Sequence, residues 1–393
     1  MRGPKLFFLA VVISNYLFAQ SGSLAKIPFS LEGNHIFIKV KVNGSEELDF
    51  MFDTGMTVAA INTDIVTNLN LSHYKKIKTG GASGKFDAKR SKNNEINLGG
   101  LKLTKIDLEE IPLLHLERTI GRDIDGLIGF SLLNKYVVKV NYDSLKLEIY
   151  PTNKFEYTGD GEVIDLTVGK LSFIKTQLKI GGNKEVSGEF ILDTGAGLAL
   201  ALATPFSQIN QIEKKMGRKF TMNVAAYGED KVTANIGLMN QVQINQFQFK
   251  DVPTTIFKNP KGVFSRKFIG GVIGNELLKK FNITFDYKHK KSYWEPNKSF
   301  SENSFTTQCS GLVLSLDKTK KRVIIENIIP ESVGYESELN VDDIILEIDA
   351  VKAGEAPLFE LRKILNQSGK EVKIKYSRRG VENEIGLKLK ALI

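Results

Sequence analysis

Two short stretches of the sequence share one pattern, an apolar run that ends in Asp-Thr-Gly. The first is ELDFMFDTGM (residues 47–56) and the second is GEFILDTGAG (residues 188–197). A single aspartate followed by glycine at the end of a strand is ordinary turn chemistry. The same pattern at Asp53 and at Asp193 indicates internal duplication. An internal repeat defines the architecture of a protein, so it takes precedence over any single motif.

The similarity extends to both sides of the two aspartates. Upstream, IFIKVKVNG and FIKTQLKIGG are alternating stretches that end in hairpin-type turns, as strands do. Downstream, DGLIGFSLL is echoed by GGVIGNELL. The separations agree, since Asp53 precedes Gly126 by 73 residues and Asp193 precedes Gly271 by 78. The chain therefore contains two copies of one unit.

These copies set the predicted organisation. We predict lobe 1 at residues 21–153, lobe 2 at residues 154–297 and a polar linker at residues 298–307. Strand-like alternation dominates both lobes, with short helices predicted at GFSLLNKY and GNELLKKF. The fold class is therefore mainly β, with two homologous lobes.

The first residues have the composition of a secretory signal peptide. Arg2 and Lys5 precede an apolar stretch at residues 6–18, and Ala19 is a small residue at the cleavage position. The stretch is shorter than the roughly 20 apolar residues that a bilayer requires. We predict a signal peptide at residues 1–19, export to the periplasm or outside the cell, and no transmembrane anchor in the mature protein.

The charge balance does not indicate a nucleic-acid partner. The formal net charge is +9, but the basic residues are interleaved with acids, and the longest basic cluster, KTKKR (residues 318–322), fits an exposed hairpin turn. A nucleic-acid surface needs basic residues gathered on one face. The lone Cys309 cannot form an internal disulfide, and a small buried residue is its most typical role.

The paired aspartates predict a specific chemistry. Two carboxyl groups within hydrogen-bonding reach cannot both ionise cheaply, so one keeps a proton while the other is charged. The charged member can take a proton from water and the protonated member can polarise an amide carbonyl. Thr54 and Thr194 offer hydroxyls that can tie the two loops together. Gly55 and Gly195 let the backbone fold tightly beside the carboxylates.

On these motifs the chain resembles a retropepsin-like or pepsin-like aspartic protease with both lobes in one polypeptide. The motifs are Phe52-Asp53-Thr54-Gly55, Leu192-Asp193-Thr194-Gly195-Ala196, Leu127-Ile128-Gly129 and Val272-Ile273-Gly274. The resemblance implies two β-barrel lobes around one cleft, a catalytic Asp53/Asp193 dyad supported by the neighbouring threonines and glycines, and no metal or other cofactor. Met56 departs from the family, which has Ala, Ser or Thr there.

The resemblance also implies a hairpin flap that closes over the substrate. The candidates are Gly80 and Gly81 within TGGASGKF, and Tyr227 and Gly228 within AAYGED. A tyrosine beside glycine resembles the flap tyrosine of pepsin-like enzymes, although here it falls in the second lobe.

Residues 308–393 do not repeat the sequence pattern of the two lobes. Strands are predicted near residues 311–316 and 322–329, and a helix near residues 357–367 with Leu358, Leu361 and Leu365 on one face. The segment resembles a small α+β PDZ domain of the bacterial exported type, although its usual glycine is replaced in Val341-Asp342-Asp343. The resemblance implies that a C-terminal peptide adds as a strand beside Gly311, Leu312, Val313 and Leu314.

Other chemistries are not favoured. GGASGKF is not a phosphate loop, because only three residues separate Gly80 from Gly84 and Phe86 follows the lysine. The histidines His35, His73, His115 and His289 show no pair at metal-ligand spacing and are interpreted as surface or packing residues. No G-x-S-x-G elbow is present.

The sequence therefore predicts an exported aspartic endopeptidase that acts on peptides or proteins and carries a PDZ domain for recruitment or regulation. The alternative is a protease-like scaffold that binds peptides or envelope proteins through its cleft and PDZ groove without cutting them. Met56 and the replaced PDZ glycine motivate that alternative.

Overall fold

The computed structural model describes residues 22–71, 74–81, 84–181, 184–226, 229–258, 262–302 and 305–393. The predicted signal peptide at residues 1–19 and the flap candidates Tyr227 and Gly228 lie outside the described residues. Within the described ranges, no helix is long and apolar enough to span a membrane.

Lobe 1 is built from short strands connected by tight turns. Its elements are β1 (Ala25–Glu32), β2 (His35–Val42), β3 (Leu48–Phe52), β4 (Ala59–Asn62), β5 (Lys75–Gly81), β6 (Gly84–Leu98), β7 (Leu101–Ile111), α1 (Leu114–Ile120), β8 (Gly126–Ile128), α2 (Phe130–Leu133), β9 (Tyr136–Asn141) and β10 (Lys146–Pro151).

Lobe 2 repeats the strand order of lobe 1. Its elements are β11 (Glu162–Asp165), β12 (Thr167–Val168), β13 (Ser172–Ile180), β14 (Lys184–Asp193), β15 (Leu200–Leu202), α3 (Thr204–Ile209), α4 (Ile212–Lys215), β16 (Lys219–Ala226), β17 (Glu229–Ile244), β18 (Phe247–Phe257), β19 (Gly271–Gly274), α5 (Asn275–Leu278), β20 (Phe281–Asp286) and β21 (Lys291–Pro296). Strands β11 and β12 stand in place of β1, and not all of the helices fall at equivalent places in the two lobes.

Both lobes close into a barrel with the same topology. In lobe 1 the strands run in the order β2-β3-β8-β4-β7-β6, and β6 pairs back onto β2. In lobe 2 the order is β13-β14-β19-β15-β18-β17, and β17 pairs back onto β13. The strand that leads to each aspartate pairs in parallel with the later apolar-apolar-Gly strand, β3 with β8 and β14 with β19. The predicted mainly β fold with two homologous barrel lobes is confirmed.

A shared sheet joins the two lobes, with the strand order β11-β21-β20-β9-β10-β1. At its centre the equivalent strands β9 and β20 pair antiparallel, and Lys139 lies opposite Thr284. Antiparallel pairing of equivalent strands is what a twofold relation between the lobes requires. The lobes are therefore held in register by a continuous hydrogen-bonded ladder.

An aromatic cluster in lobe 2 backs this shared sheet. Phe281 is fully buried, and its ring lies 4.9 Å from Trp294 and 4.7 Å from Phe247. Phe300 and Phe305 belong to the segment predicted as a polar linker, yet both pack against Phe249 in this cluster. Residues 298–307 are thus anchored on lobe 2 by apolar contacts, which their polar composition did not suggest.

The C-terminal unit has a core of its own. Its elements are β22 (Leu312–Leu316), β23 (Val323–Ile328), β24 (Ile344–Ile348), β25 (Val351–Lys352), α6 (Leu358–Leu365), β26 (Glu371–Arg378) and β27 (Val381–Lys388). The sheet order is β22-β23-β24-β26-β27, so β22 is an edge strand.

Several predictions for this unit agree with the structure. Helix α6 buries Leu358, Leu361 and Leu365, as its periodicity indicated, and Cys309 is fully buried.

Asp342 occupies the position of the replaced glycine at a φ of +70°, a left-handed conformation that aspartate tolerates better than most residues. The next residue, Asp343, accepts hydrogen bonds from Nε and Nη2 of Arg378, both at 2.7 Å.

The aromatic cluster yields a stability prediction. Phe281→Ala should lower the free energy of unfolding by about 3–5 kcal/mol, because it empties a fully buried aromatic site. Trp294 is the chain's single tryptophan, so its fluorescence can report denaturant unfolding. The matched control is Phe268→Ala at a 66% exposed site, which should change stability by no more than about 0.5 kcal/mol. Equal losses in both variants would contradict a core role for Phe281.

Candidate active site

The two aspartates stand at equivalent points of the two barrels. Asp53 follows the last residue of β3, and its N–H donates to the carbonyl of Ile128 at 2.9 Å. Asp193 ends β14 and lies opposite Gly274 of the parallel strand β19. Each apolar run is therefore a buried central strand that delivers its aspartate to the same end of a barrel.

The glycines of the two apolar-apolar-Gly motifs, Gly129 and Gly274, leave space for the backbone of the aspartate loops. A Cβ atom on Gly129 would lie 1.8 Å from the carbonyl oxygen of Asp53, and one on Gly274 would lie 2.1 Å from the carbonyl oxygen of Leu198. Any side chain at either position would collide with backbone. This explains why each aspartate loop has a distant apolar-apolar-Gly partner.

The threonines tie the two loops together across the lobe boundary. The Thr54 hydroxyl donates to the carbonyl of Leu192 at 2.7 Å and accepts from the N–H of Thr194 at 3.0 Å. The Thr194 hydroxyl donates to the carbonyl of Phe52 at 2.8 Å and accepts from the N–H of Thr54 at 3.1 Å. Both threonines are buried, so these four bonds are shielded from water.

This exchange places the two carboxyl groups within hydrogen-bonding reach of each other. Each lies against the glycine of the opposite loop. A Cβ on Gly55 would be 2.6 Å from Oδ2 of Asp193, and a Cβ on Gly195 would be 2.2 Å from Cγ of Asp53. We predicted that the glycines let the backbone fold tightly beside the carboxylates. In the structure each glycine lies against the carboxylate of the other lobe, where a side chain would collide with it.

The surroundings of the two carboxyl groups raise the pKa of both. Burial and the charge of Asp193 raise the pKa of Asp53 well above the usual range. Burial also raises the pKa of Asp193, but its hydrogen bond with Asp53 and bonds from the N–H groups of Gly195 and Ala196 oppose that rise. Asp53 has a comparable backbone donor in the N–H of Gly55, at 2.7 Å. Two adjoining carboxyl groups favour a single shared proton, and the larger rise in pKa assigns this proton to Asp53.

The dyad lies at the floor of a cleft of about 980 Å³ between the lobes. Both lobes contribute apolar residues to its walls. Lobe 1 contributes Met51, Met56, Leu116, Ile120 and Leu127, and lobe 2 contributes Leu171, Ile191, Leu198, Phe264 and Val272. Met56 is buried within the apolar cluster of lobe 1, so its long side chain forms part of this wall.

Two hairpins reach from one lobe toward the other, and the lobe 1 hairpin lines the cleft. The hairpin of β5 and β6 turns where Gly81 pairs with Gly84, and Gly80 lines the cleft. Its strands approach residues Gly262–Ser265 of lobe 2, while β16 of lobe 2 approaches α1 of lobe 1. Each lobe thus sends a hairpin toward the other. Tyr227 and Gly228 would sit between β16 and β17, outside the described residues.

Two features of the cleft were not found from the sequence. Arg90 forms an ion pair with Glu109, a carboxylate that also accepts from the Thr79 hydroxyl, and all three side chains line the cleft. His35 lies against the second aspartate loop, where a Cβ on Gly197 would be 2.6 Å from its ring carbon Cε1. Burial lowers the pKa of His35 to about 4, so it is neutral above that pH. Neither feature has a sequence spacing that would indicate it.

The remaining predicted site residues do not lie at the cleft. Gly311, Leu312, Val313 and Leu314 lie at the start of β22, on the side of the C-terminal unit that faces α1 of lobe 1. Among the described residues, no group of three or more His, Cys, Asp or Glu side chains is placed to hold a metal ion.

The threonine exchange can be tested by removing one hydroxyl. Thr54→Ala leaves the carbonyl of Leu192 and the N–H of Thr194 unpaired in a buried site. Each unpaired group costs about 1–3 kcal/mol, so the free energy of unfolding should fall by about 2 kcal/mol or more. The control Thr54→Ser keeps the hydroxyl and should cost only about 1 kcal/mol, for one buried methyl group. Equal losses in a urea titration would show that the hydroxyl bonds are not important.

The raised pKa of Asp53 predicts a pH-dependent stability. The folded protein keeps a proton that the unfolded chain loses above the ordinary aspartate pKa of 3.8. The free energy of unfolding must therefore fall as pH rises through this window, by up to about 1.4 kcal/mol per pH unit for one proton. Residue 53 cannot titrate in Asp53→Asn, so the stability of the native protein relative to this variant should decrease as pH rises above about 4.

Buried His35 acts in the opposite direction. Its pKa is about 4 when folded and 6.5 when unfolded, so its stabilising contribution is lost as pH falls from 6.5 toward 4. Both proteins carry His35, so its effect cancels in the comparison. Urea titrations across this range that give parallel stability curves for the two proteins would exclude a raised pKa at Asp53.

Comparison with known families agrees with this site. A family model described as aspartyl protease matches residues 38–132. The match extends from β2 to α2 and contains Asp53, Thr54, Gly55 and the partner strand β8. No curated protein matches the chain. Lobe 1 is thus similar to aspartyl proteases, and this similarity supports a peptidase that acts on peptides or proteins.

Proposed function

We propose that this protein is an aspartic-type endopeptidase that hydrolyses peptide bonds with a water molecule activated by Asp53 and Asp193. One observation carries the proposal. Two carboxyl groups, one from each lobe, lie within hydrogen-bonding reach of each other in the cleft between the lobes, and the pKa of each is raised. Paired carboxylates in aspartic proteases are the standard case of this arrangement.

The chemistry follows from where the proton rests. Ionised Asp193 accepts a proton from a water molecule held between the carboxyl groups, while protonated Asp53 donates to the carbonyl oxygen of the scissile amide. The hydroxide oxygen bonds to the carbonyl carbon and gives a neutral tetrahedral diol. Asp193, now protonated, then donates its proton to the amide nitrogen, while Asp53, now ionised, accepts a proton from one hydroxyl of the diol. The C–N bond breaks as the C=O bond reforms, a carboxylic acid and an amine are released, and both carboxyl groups are back in their starting protonation states.

The cleft is suited to an extended peptide. Apolar residues of both lobes line the cleft, so side chains that flank the scissile bond can be buried against lobe 1 on one side and against lobe 2 on the other. The hairpin that carries Gly80 and Gly81 is proposed as the flap that closes over the peptide. Closure would exclude water other than the reacting molecule. The second hairpin, formed by β16 and β17, is proposed as its counterpart, and the flap candidates Tyr227 and Gly228 fall between these two strands in the sequence.

The proposal includes the predicted setting of the enzyme. Residues 1–19 are proposed as a signal peptide that directs export, so the mature protein acts in a periplasm or outside the cell. Residues 308–393 are proposed as a PDZ domain. Their edge strand β22 and helix α6 would form its groove.

The first experiment is cleavage of a diverse peptide mixture by mature protein (residues 20–393) from about pH 3 to pH 8. Asp53→Asn and Asp193→Asn should each lower the rate by at least about 10²–10⁴-fold, the range expected for loss of a general acid or base. The control Asp251→Asn replaces an exposed aspartate of lobe 2 at a φ of +51°, which asparagine also adopts, and should keep full activity.

The outcomes separate the two functions. Activity that survives loss of Asp193 would refute the dyad. Peptide binding without turnover at any pH, by folded native protein, would favour the alternative of a protease-like binding scaffold.

A further inference from the structure

The open edge of β22 already accepts hydrogen bonds from other parts of the protein. In the PDZ mode of recognition a peptide adds to such an edge as an extra strand, and its N–H groups bind the edge carbonyls. Here the carbonyl of Leu314 accepts from Arg362 of α6 at 2.7 Å, and the carbonyl of Leu316 accepts from Nε of Arg118 at 2.9 Å. Arg118 belongs to α1 of lobe 1, so lobe 1 supplies one of the donors that a peptide would bring.

Further contacts hold α1 in this place. Arg362 also donates to the carbonyl of Thr119 at the end of α1. Burial lowers the pKa of Arg362 to about 10, which still leaves it positively charged. Lys320, in the turn between β22 and β23, forms ion pairs with Glu117 and Asp123 of lobe 1.

Helix α1 lies against both sides of the groove, β22 on one side and the start of α6 on the other. A Cβ on Gly121, which caps α1, would lie 2.4 Å from Cβ of Leu358 at the start of α6. A paired strand needs about 4.8 Å between backbones on the open side of β22. Helix α1 and an added peptide therefore cannot occupy the groove between β22 and α6 at the same time.

The other side of α1 belongs to the cleft. Leu116, Thr119 and Ile120 line it. Glu117 is buried and accepts from the N–H of Ile124 at 3.0 Å and from Asn62 at 3.2 Å, so α1 remains part of lobe 1 by its own bonds. A competitor in the groove would thus displace the C-terminal unit from α1, and the cleft wall would lose the support behind it.

We propose that α1 is a built-in occupant of the groove between β22 and α6. Docking of the C-terminal unit and binding of a peptide with a free C-terminal carboxylate exclude each other. Docking also fixes the cleft wall, so its loss weakens substrate binding while the dyad remains intact. The effect on catalysis rests on the proposed peptidase function, whereas the competition for the groove does not.

A disulfide can lock the docked state. A Cβ on Gly33, at the turn between β1 and β2, would lie 3.7 Å from Cβ of Phe359 on α6, and disulfides need about 3.5–4.5 Å between these atoms. The variant Gly33→Cys/Phe359→Cys is made with Cys309→Ala, which removes the chain's single native cysteine. Gly33 has a φ of +55°, so its replacement is strained. The oxidised and reduced forms share that strain and differ only in whether the disulfide holds the C-terminal unit in its docked position.

The first readout is peptide binding, measured by fluorescence anisotropy. The probes are labelled seven-residue peptides that end in Val, Leu or Phe with a free carboxylate, and the same peptides as C-terminal amides. We expect the reduced form to bind the free acids at least about tenfold more tightly than the oxidised form, and the amides to bind neither form. Equal binding by the oxidised and reduced forms would overturn the proposal.

A second variant removes the docking contacts. Arg118→Ala/Lys320→Ala should bind the free acids more tightly than native protein does, because α1 no longer competes. The control is Lys321→Ala, an exposed lysine in the same turn that should behave as native. If none of these proteins binds any of the free acids, the groove is not a peptide site and the proposal is wrong.

The second readout is peptidase kinetics of the undocked variant. Arg118→Ala/Lys320→Ala should raise KM about fivefold or more, the size of a typical coupling between sites, and should change kcat by less than about twofold. Loss of kcat with unchanged KM would contradict a role for docking in the cleft wall. If native protein shows no peptidase activity, the proposed function fails, and the binding readout still decides whether α1 occupies the groove.

Discussion

The exchange of hydrogen bonds between Thr54 and Thr194 is the interaction on which the rest of the site depends. Each hydroxyl donates to a carbonyl and accepts from an N–H of the other lobe, so all four bonds cross the boundary between the lobes. Because these groups are buried, breaking one bond leaves a polar group without water as a substitute. The shared sheet brings the lobes together over a wide area, and the threonines set the local spacing. Neither lobe alone can form this site, so the chemistry requires the duplication that the sequence shows.

The short distance between the two carboxyl groups has an energetic cost, and the same closeness is what the proposed hydrolysis requires. Two carboxyl groups held together away from water cannot both ionise, and burial alone raises the pKa of each. The fold meets this constraint by giving each carboxyl group a backbone donor from its own loop, Gly55 for Asp53 and Gly195 for Asp193, so that the single charge of the pair is stabilised. The same environment that destabilises the folded protein at higher pH keeps an acid beside a base in one cleft. Gly55 and Gly195 are required for that closeness, since a methyl group at either position would displace the opposite carboxylate.

The sequence predicted those parts of the structure that are encoded locally or by repetition. Apolar runs gave the central strands, the repeated Asp-Thr-Gly motif gave the pairing of the lobes, and a helical period gave the buried face of α6. The features that were missed depend on contacts between distant segments. Phe300 and Phe305 lie in a polar stretch, and their apolar partners are in β18 and β20. Arg118 and Lys320 carry ordinary surface charges in the sequence, and only the folded chain shows that they bind across the boundary between lobe 1 and the C-terminal unit.

Helix α1 connects the cleft and the C-terminal unit, which the sequence analysis assigned to separate domains. It follows β7 in lobe 1, and its residues contribute to the cleft on one side and contact β22 and α6 on the other. A rigid element with two contact surfaces couples them, because a ligand on one surface changes the free energy of arrangements on the other. The coupling has a direction here, since α1 is fixed to lobe 1 through buried Glu117, whereas the C-terminal unit has its own core and is joined to lobe 2 through residues 298–307. The mobile partner in any exchange is therefore the C-terminal unit. Its docked position keeps the groove closed to peptides for as long as it supports the cleft wall.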